Sequence, residues 1–210
     1  MIHVILPVGL LQCNCSIFGD EQSHEAIVID PGDEIERITE VLDQHQLKVK
    51  AIIITHAHID HVAGAQKLRA LTEAPVYMSE ADRELLDALD VQAQWLGVEP
   101  PEHPDIDSGA KDGTLLQLGD SDFRIIETPG HTQGSVSVWI PQQEKLVAGD
   151  TLFHGSIGRT DLPGGNSRQL LASIKTRLLD LPDQTIVVPG HGRNTTIGRE
   201  KEQNPFLRGL

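Results

Sequence analysis

The stretch Thr55-His56-Ala57-His58-Ile59-Asp60-His61 decides the reading of this chain. It sets three imidazoles and one carboxylate within six residues, directly after the apolar run at 51–54. H-x-H-x-D-H is the outline of a metal site, and a preset pattern of that kind arises by chance in roughly one in ten thousand chains of this length. Beyond a strand end, residues two apart point the same way, so His56 and His58 share a side, while Asp60 and His61 fall on the next turn and face elsewhere. One motif can therefore serve two adjacent metal ions.

Working outward, strand-like and helix-like stretches alternate. Residues 25–30 form a short β-branched run that stops at Pro31-Gly32, a turn signal. Asp33 with Glu36 reads as a capping-box start, and Ile35, Ile38, Val41 and Leu42 follow at helical spacing. Residues 50–55 read as a buried strand. Residues 62–72, with Ala65, Leu68 and Leu71 near helical period, read as the helix after it, so the motif sits on a strand-to-helix loop. Further strands are expected at 115–118, 123–128, 135–140 and 145–148. A helix carries Leu170, Leu171, Ile174 and Leu178 and closes at Pro182, and a last strand spans 185–188. Two irregular segments interrupt the pattern. Residues 98–113 read as a surface connection and a candidate flap. Residues 155–165 are Gly-rich but lack the Lys of a phosphate loop, so nucleotide binding is not indicated.

More donors stand where strands end: Thr128-Pro129-Gly130-His131, Ala148-Gly149-Asp150 and Val188-Pro189-Gly190-His191. Glycine beside a ligand lets the backbone approach closely and take positive φ, so the three turns form a coherent set. His3, His24, His45 and His103 have no partner pattern and read as incidental. His154, four residues past Asp150, is a candidate pocket residue.

Composition bounds the partners. Lys plus Arg number 17 against 31 Asp plus Glu, a net charge of −14, which repels phosphate backbones and argues against nucleic acid. No apolar run approaches the roughly 20 residues of a membrane helix, and Met1-Ile2-His3-Val4-Ile5-Leu6 lacks the basic lead-in of a signal peptide. A cytoplasmic protein without membrane partners is expected. Cys13 and Cys15, one residue apart, would form a strained disulfide and read as small buried apolar residues in a reducing compartment.

H-x-H-x-D-H followed by Gly-His, Gly-Asp and Gly-His, in that order, resembles the metallo-β-lactamase superfamily over almost the whole chain, from Asp30-Pro31-Gly32 onward. Within it the chain is similar to the short bacterial glyoxalase II (hydroxyacylglutathione hydrolase) type. The likeness is carried by Asn14-Cys15, Thr128-Pro129-Gly130-His131-Thr132-Gln133-Gly134-Ser135, Gly149-Asp150-Thr151-Leu152-Phe153, Gly158-Arg159-Thr160-Asp161 and Asn204-Pro205-Phe206. The resemblance implies an α/β fold, an αββα four-layer sandwich, as a single domain over 1–210 without the C-terminal helical glutathione-binding domain of long glyoxalase II enzymes. It implies two divalent metal ions. His56, His58 and His131 would hold one, Asp60, His61 and His191 the other, with Asp150 bridging. By the same resemblance Asp60 and Asp150 would be the catalytic carboxylates, and Asp30 would support the site from outside the ligand shell. Nitrogen and carboxylate donors suit zinc, and the same set accepts iron or manganese.

The implied activity is hydrolysis of a small-molecule thioester linked to glutathione. S-D-lactoylglutathione would yield D-lactate and glutathione, as in methylglyoxal detoxification. A hydroxide shared by two Lewis acids exists at neutral pH and attacks the carbonyl. Thiols titrate near about 8.5, so a thiolate leaves without a dedicated general acid, which an amide would require. Arg159 is the best cation for a substrate carboxylate, with Asp161 orienting it; a salt bridge internal to the Gly-rich loop is the competing role. Tyr77, the only tyrosine, lies ahead of the segment where carrier contacts would be sought. The main rival is an iron-dependent glutathione persulfide dioxygenase, which shares these motifs and would hold one iron on His56, His131 and Asp150. A lactonase and a non-catalytic metal-binding protein stand behind it. A flavodiiron role is disfavoured because His58 stands where that branch has a carboxylate.

Overall fold

A computed structural model of the chain describes residues 1–208. It divides into two compact units, Met1–Ala110 and the residues from Lys111 onward.

The first unit carries a six-stranded mixed sheet in sequential order: β1 (Ile2–Val8), β2 (Cys13–Gly19), β3 (Glu25–Ile29), β4 (Lys48–Ile53), β5 (Val76–Met78) and β6 (Ser108–Gly109). β1, β2 and β3 pair antiparallel, and β3 to β6 pair parallel. The parallel half needs crossover helices. They are α1 (Ile35–Gln44) between β3 and β4, and α2 (Ile59–Val62) with α3 (Ala65–Thr72) between β4 and β5. α4 (Arg83–Asp87) and α5 (Leu89–Leu96) follow β5. Ile38 and Leu42 of α1, Leu68 of α3 and Leu89 and Ala93 of α5 join Ile17, Val28, Ile52 and Val76 of the sheet in one buried cluster. Each fully buried Ile or Leu is worth about 1.5–3 kcal/mol.

The expected strand and helix around α1 are present, but the capping box is not. Glu34 takes a left-handed conformation, φ 51° and ψ 47°, and no side chain caps the helix. The Glu34 side chain instead accepts from the Gly9 N–H at 2.8 Å and pairs with Arg37 at 2.7 Å, while Glu36 pairs with Lys67. Tertiary pairing outcompetes the local motif. The far end closes as a Schellman turn, with Leu47 N–H on Leu42 O at 2.8 Å, Gln46 N–H on Asp43 O at 3.0 Å and Gln46 at φ 54°. The helix expected over 62–72 is two helices. The first turn starts at Ile59, and the chain breaks at Ala63 and Gly64 before α3.

The second unit carries another six-stranded sheet, in the order β14-β13-β10-β9-β8-β7. The strands are β7 (Leu115–Leu118), β8 (Ser121–Glu127), β9 (Val136–Ile140), β10 (Lys145–Gly149), β13 (Ile186–Pro189) and β14 (Thr195–Thr196). A two-stranded ribbon, β11 (Leu152–Phe153) with β12 (Ser156–Ile157), stands apart from this sheet. All sheet pairs are antiparallel except β10 with β13. α6 (Ser167–Ser173) runs on as a π-helical stretch, Ile174–Leu178, and α7 (Ile197–Gln203) follows β14. Leu170, Ile174 and Leu178 pack with Leu146, Val187 and Ile197 as a buried cluster. The expected strands lie within two residues of those found, and the Gly-rich segment contains β12.

Candidate metal centre

The motif of the first unit leaves the end of β4 and enters α2. His58 is the extended residue before the helix, at φ −73° and ψ 142°. The i, i+2 spacing brings His56 Nε2 to 3.1 Å from His58 Nδ1, and one turn later His61 Nε2 lies 3.6 Å from Asp60 Oδ2. His56 and His61 are buried.

Asp30, at the end of β3, anchors this group. Its Oδ1 accepts from the Thr55 N–H and its Oδ2 from the Thr55 hydroxyl, both at 2.7 Å, and Oδ2 also meets His61 Nδ1 at 2.9 Å. A buried carboxylate on Nδ1 fixes the tautomer that leaves Nε2 as a donor to metal. Asp30 sits at φ 54°, a region Asp tolerates better than most residues. Next to it, Gly32 is obligatory for a packing reason, since a Cβ there would overlap the carbonyl oxygen of Asp60. Cys13 Sγ lies 3.5 Å from His61 Nδ1, and burial pushes its thiol up to about 12. Burial likewise raises the Cys15 thiol. Both cysteines are free and buried.

Two further residues, not identifiable as site residues from the sequence, hold the motif's backbone. Gln92 of α5 accepts from the Ile59 N–H at 2.9 Å and donates to the carbonyls of Ala57 and Leu85 at 3.1 and 2.9 Å. Asp82 accepts from the Ala57 N–H at 3.0 Å. A buried Gln on an otherwise apolar helix face was the available signal for the first.

In the second unit the three donors come from three turns. His131 follows β8, Asp150 follows β10 and His191 follows β13. His131 Nε2 is 3.6 Å from Asp150 Oδ2, and His191 Nε2 is 3.8 Å from Asp150 Oδ1. The Gly190 N–H donates to Gly149 O at 2.8 Å, tying two of the turns together. Gly130 and Gly149 take positive φ as expected, at 137° and 49°; beyond β13 the left-handed residue is Gly192 at 75°, one past the ligand. The Arg159 carbonyl lies 2.7 Å from His131 Nδ1 and accepts a hydrogen bond from its N–H, which again presents Nε2. Gly158 permits this approach, because a Cβ there would overlap the Asp150 carbonyl.

These separations fit a bound metal. Donors about 2.0–2.1 Å from an ion at the tetrahedral angle stand about 3.4 Å apart, and the four donor pairs within the two units span 3.1 to 3.8 Å. Imidazole and carboxylate donors without thiolate suit zinc, iron or manganese.

Arg159 and Asp161 form an exposed two-pronged ion pair, 2.8 and 2.7 Å. The arginine hydrogen bonds hold the Asp161 carboxyl down at about 2. The pair joins Arg159, the cation expected for a substrate carboxylate, to Asp161, expected to orient it, and it is also the competing salt bridge within the Gly-rich loop; the Arg159 side chain is still 60% exposed. His154, in the turn of the β11–β12 ribbon, lies with Nδ1 3.2 Å from Arg193 Nη2. His3 stacks on Phe18 and His103 meets Asp90 at 3.3 Å.

The family profile described as "Metallo-beta-lactamase superfamily" matches residues 8–191. The chain is 40% identical to the hydroxyacylglutathione hydrolase GloC of Haemophilus influenzae, over 97% of this chain and 96% of that protein. Among solved structures, the BLEG-1 B3 metallo-β-lactamase superposes with a TM-score of 0.91 at 38% identity, covering 99% of this chain and all of that one. A di-iron-bound form of TTHA1623 superposes at 0.87 with 37% identity, covering 99% and 100%. The α/β fold is therefore that of the metallo-β-lactamase structures. No helix among the described residues is long and apolar enough to cross a membrane.

Proposed function

Given that the chain belongs to the metallo-β-lactamase superfamily, whose members are generally metal-dependent hydrolases, we propose that it hydrolyses glutathione thioesters, S-D-lactoylglutathione among them. The observation that carries this reading is the donor set, seven side chains in the family's order, with His61 and His131 each held through Nδ1 so that Nε2 faces a carboxylate oxygen. The 40% identity to the GloC hydrolase over nearly full length supports the substrate class.

On the motif order, His56, His58 and His131 would hold one ion and Asp60, His61 and His191 a second, with Asp150 shared. Two divalent ions, when bound, would supply Lewis acidity for the carbonyl and lower the pKa of water to near neutrality. The chain's own contributions are to orient and to exclude. Asp30 and the Arg159 carbonyl fix two imidazole tautomers, Gln92 and Asp82 hold the backbone between His56 and Asp60, and Gly32 and Gly158 allow the close approach these turns need. Arg159 would meet a glycyl or γ-glutamyl carboxylate of the carrier. A thiolate leaves unassisted near neutral pH, which suits a site whose imidazoles and carboxylates are assigned to metal. The buried free thiols suit a reducing, cytoplasmic compartment.

A second reading, iron-dependent oxidation of glutathione persulfide, is supported by the ligand motifs it shares and by the fit of a two-His-one-carboxylate set to iron; the two irons in the TTHA1623 structure bear only on which metal such a site accepts. Metal content and product analysis separate the two. Two ions per chain with D-lactate release from S-D-lactoylglutathione support the hydrolase. One iron with oxygen uptake on glutathione persulfide, and no thioester cleavage, would replace it.

A further inference from the structure

A cleft of about 680 Å³ opens in the first unit beside the metal motif, with Ile59 and Asp60 among its lining. Its walls are apolar: Leu10 and Leu11 from the β1–β2 turn, Leu71 of α3, Leu96 of α5 and Val98 beyond it. All five side chains are substantially exposed, Leu10 at 69% and Leu71 at 62%, a concentration of exposed apolar surface around one concavity. The charged groups of the lining are four carboxylates, Asp33, Asp60, Glu99 and Glu102, and one ammonium, Lys67, which is paired with Glu36 at 2.5 Å. Anionic groups are repelled there. An uncharged apolar group is favoured, since it removes the leucines from water and leaves the acids at the rim hydrated. The volume lies in the range that takes a drug-sized ligand, and a lactoyl group leaves most of it filled with water.

We propose that this cleft is the acyl subsite, and that it selects thioesters with unbranched apolar acyl chains of about four to eight carbons over the lactoyl group. The proposal rests on the thioesterase reading for its chemistry, while the binding preference of the cleft stands by itself. Ile59 and Asp60 belong at once to the cleft and to the metal motif, and Asp60 is the donor from which an acyl chain would run along Leu11, Leu71 and Leu96. The anionic carrier remains outside the acidic lining.

The test has a binding arm and a turnover arm. Metal-free protein is titrated calorimetrically with S-methyl-, S-butyl- and S-hexylglutathione, thioethers that cannot be hydrolysed. Complete burial gives about fourfold per methylene, and this open cleft should give at least about tenfold from methyl to hexyl. Leu71→Asp, at an exposed position, should abolish the gradient while the far-ultraviolet spectrum stays unchanged. Metal-loaded protein is then assayed on S-acetyl-, S-butyryl-, S-hexanoyl- and S-D-lactoylglutathione, with kcat/KM expected to rise along the straight-chain series and hexanoyl to exceed lactoyl. Affinity independent of chain length, or a gradient untouched by Leu71→Asp, overturns the acyl subsite even if thioesters are cleaved. A binding gradient without cleavage of any thioester leaves the apolar subsite standing and removes the hydrolase reading.

Discussion

Asp30 shows how much one side chain can organise. It has no ligand role by motif, yet its two oxygens serve Thr55 twice and His61 once, all within 2.9 Å. Outer-shell partners of this kind are typically worth 10–100-fold in metal affinity. Asp30→Asn should therefore weaken binding of the ion assigned to His61 by that order, leaving the fold intact. Competition with a chromophoric chelator measures it, and affinity unchanged within twofold would remove Asp30 from the site. Asp30 was legible in the sequence because it stands at a strand end before Pro31-Gly32 in the family's arrangement. The hydrogen bond from His131 to the Arg159 carbonyl was not, because a backbone acceptor carries no residue signature.

Elements explain where the sequence was silent. Residues 76–96 had no reading, since β5 is three residues long and the apolar positions of α4 and α5 are broken by Gln92. That residue is what the motif's backbone needs. Gln92→Ala strands the Ile59 N–H in a buried setting, at a cost of about 1–3 kcal/mol, and should lower both the denaturation midpoint and metal affinity. Gln92→Glu should not rescue it, because it restores the acceptor for Ile59 but sets a buried carboxylate oxygen against the Ala57 and Leu85 carbonyls. The terminal elements follow the same logic. Glu200 of α7 is fully buried, and its carboxylate accepts from the Gly155 N–H in the β11–β12 turn and from Thr195, Asn204 and Arg199. Burial raises its pKa, but these hydrogen bonds outweigh burial and hold it below the ordinary value. A lowered folded pKa contributes stability that is present above the unfolded value of about 4.3 and is lost as pH falls through the folded one. Glu200→Gln should cost about 1–3 kcal/mol at pH 7 and flatten the acid limb of the stability profile below about pH 4. An unchanged limb would assign acid sensitivity elsewhere.

At the scale of the whole molecule, a net charge of −14 meets a substrate that is itself anionic. Long-range repulsion slows encounter and is screened by salt, with a Debye length of about 30 Å at 0.01 M and 8 Å at 0.15 M. kcat/KM for S-D-lactoylglutathione should therefore rise across that range, and a fall would point to a local cationic funnel instead. The order of the ligand motifs made the family legible along nearly the whole chain, because metal donors must recur at fixed strand ends. The strands β1 and β2 were not legible because neither alternates, β1 being half-buried along most of its length and β2 buried throughout, and the helices α4, α5 and α7 were not because they are short, five, eight and seven residues. The most direct test of the account is release of D-lactate from S-D-lactoylglutathione by metal-loaded protein and by the same protein stripped with chelator. Cleavage lost on stripping and restored by added metal is the predicted result. Cleavage that survives complete removal of metal, or its absence from protein carrying two ions per chain, would contradict it.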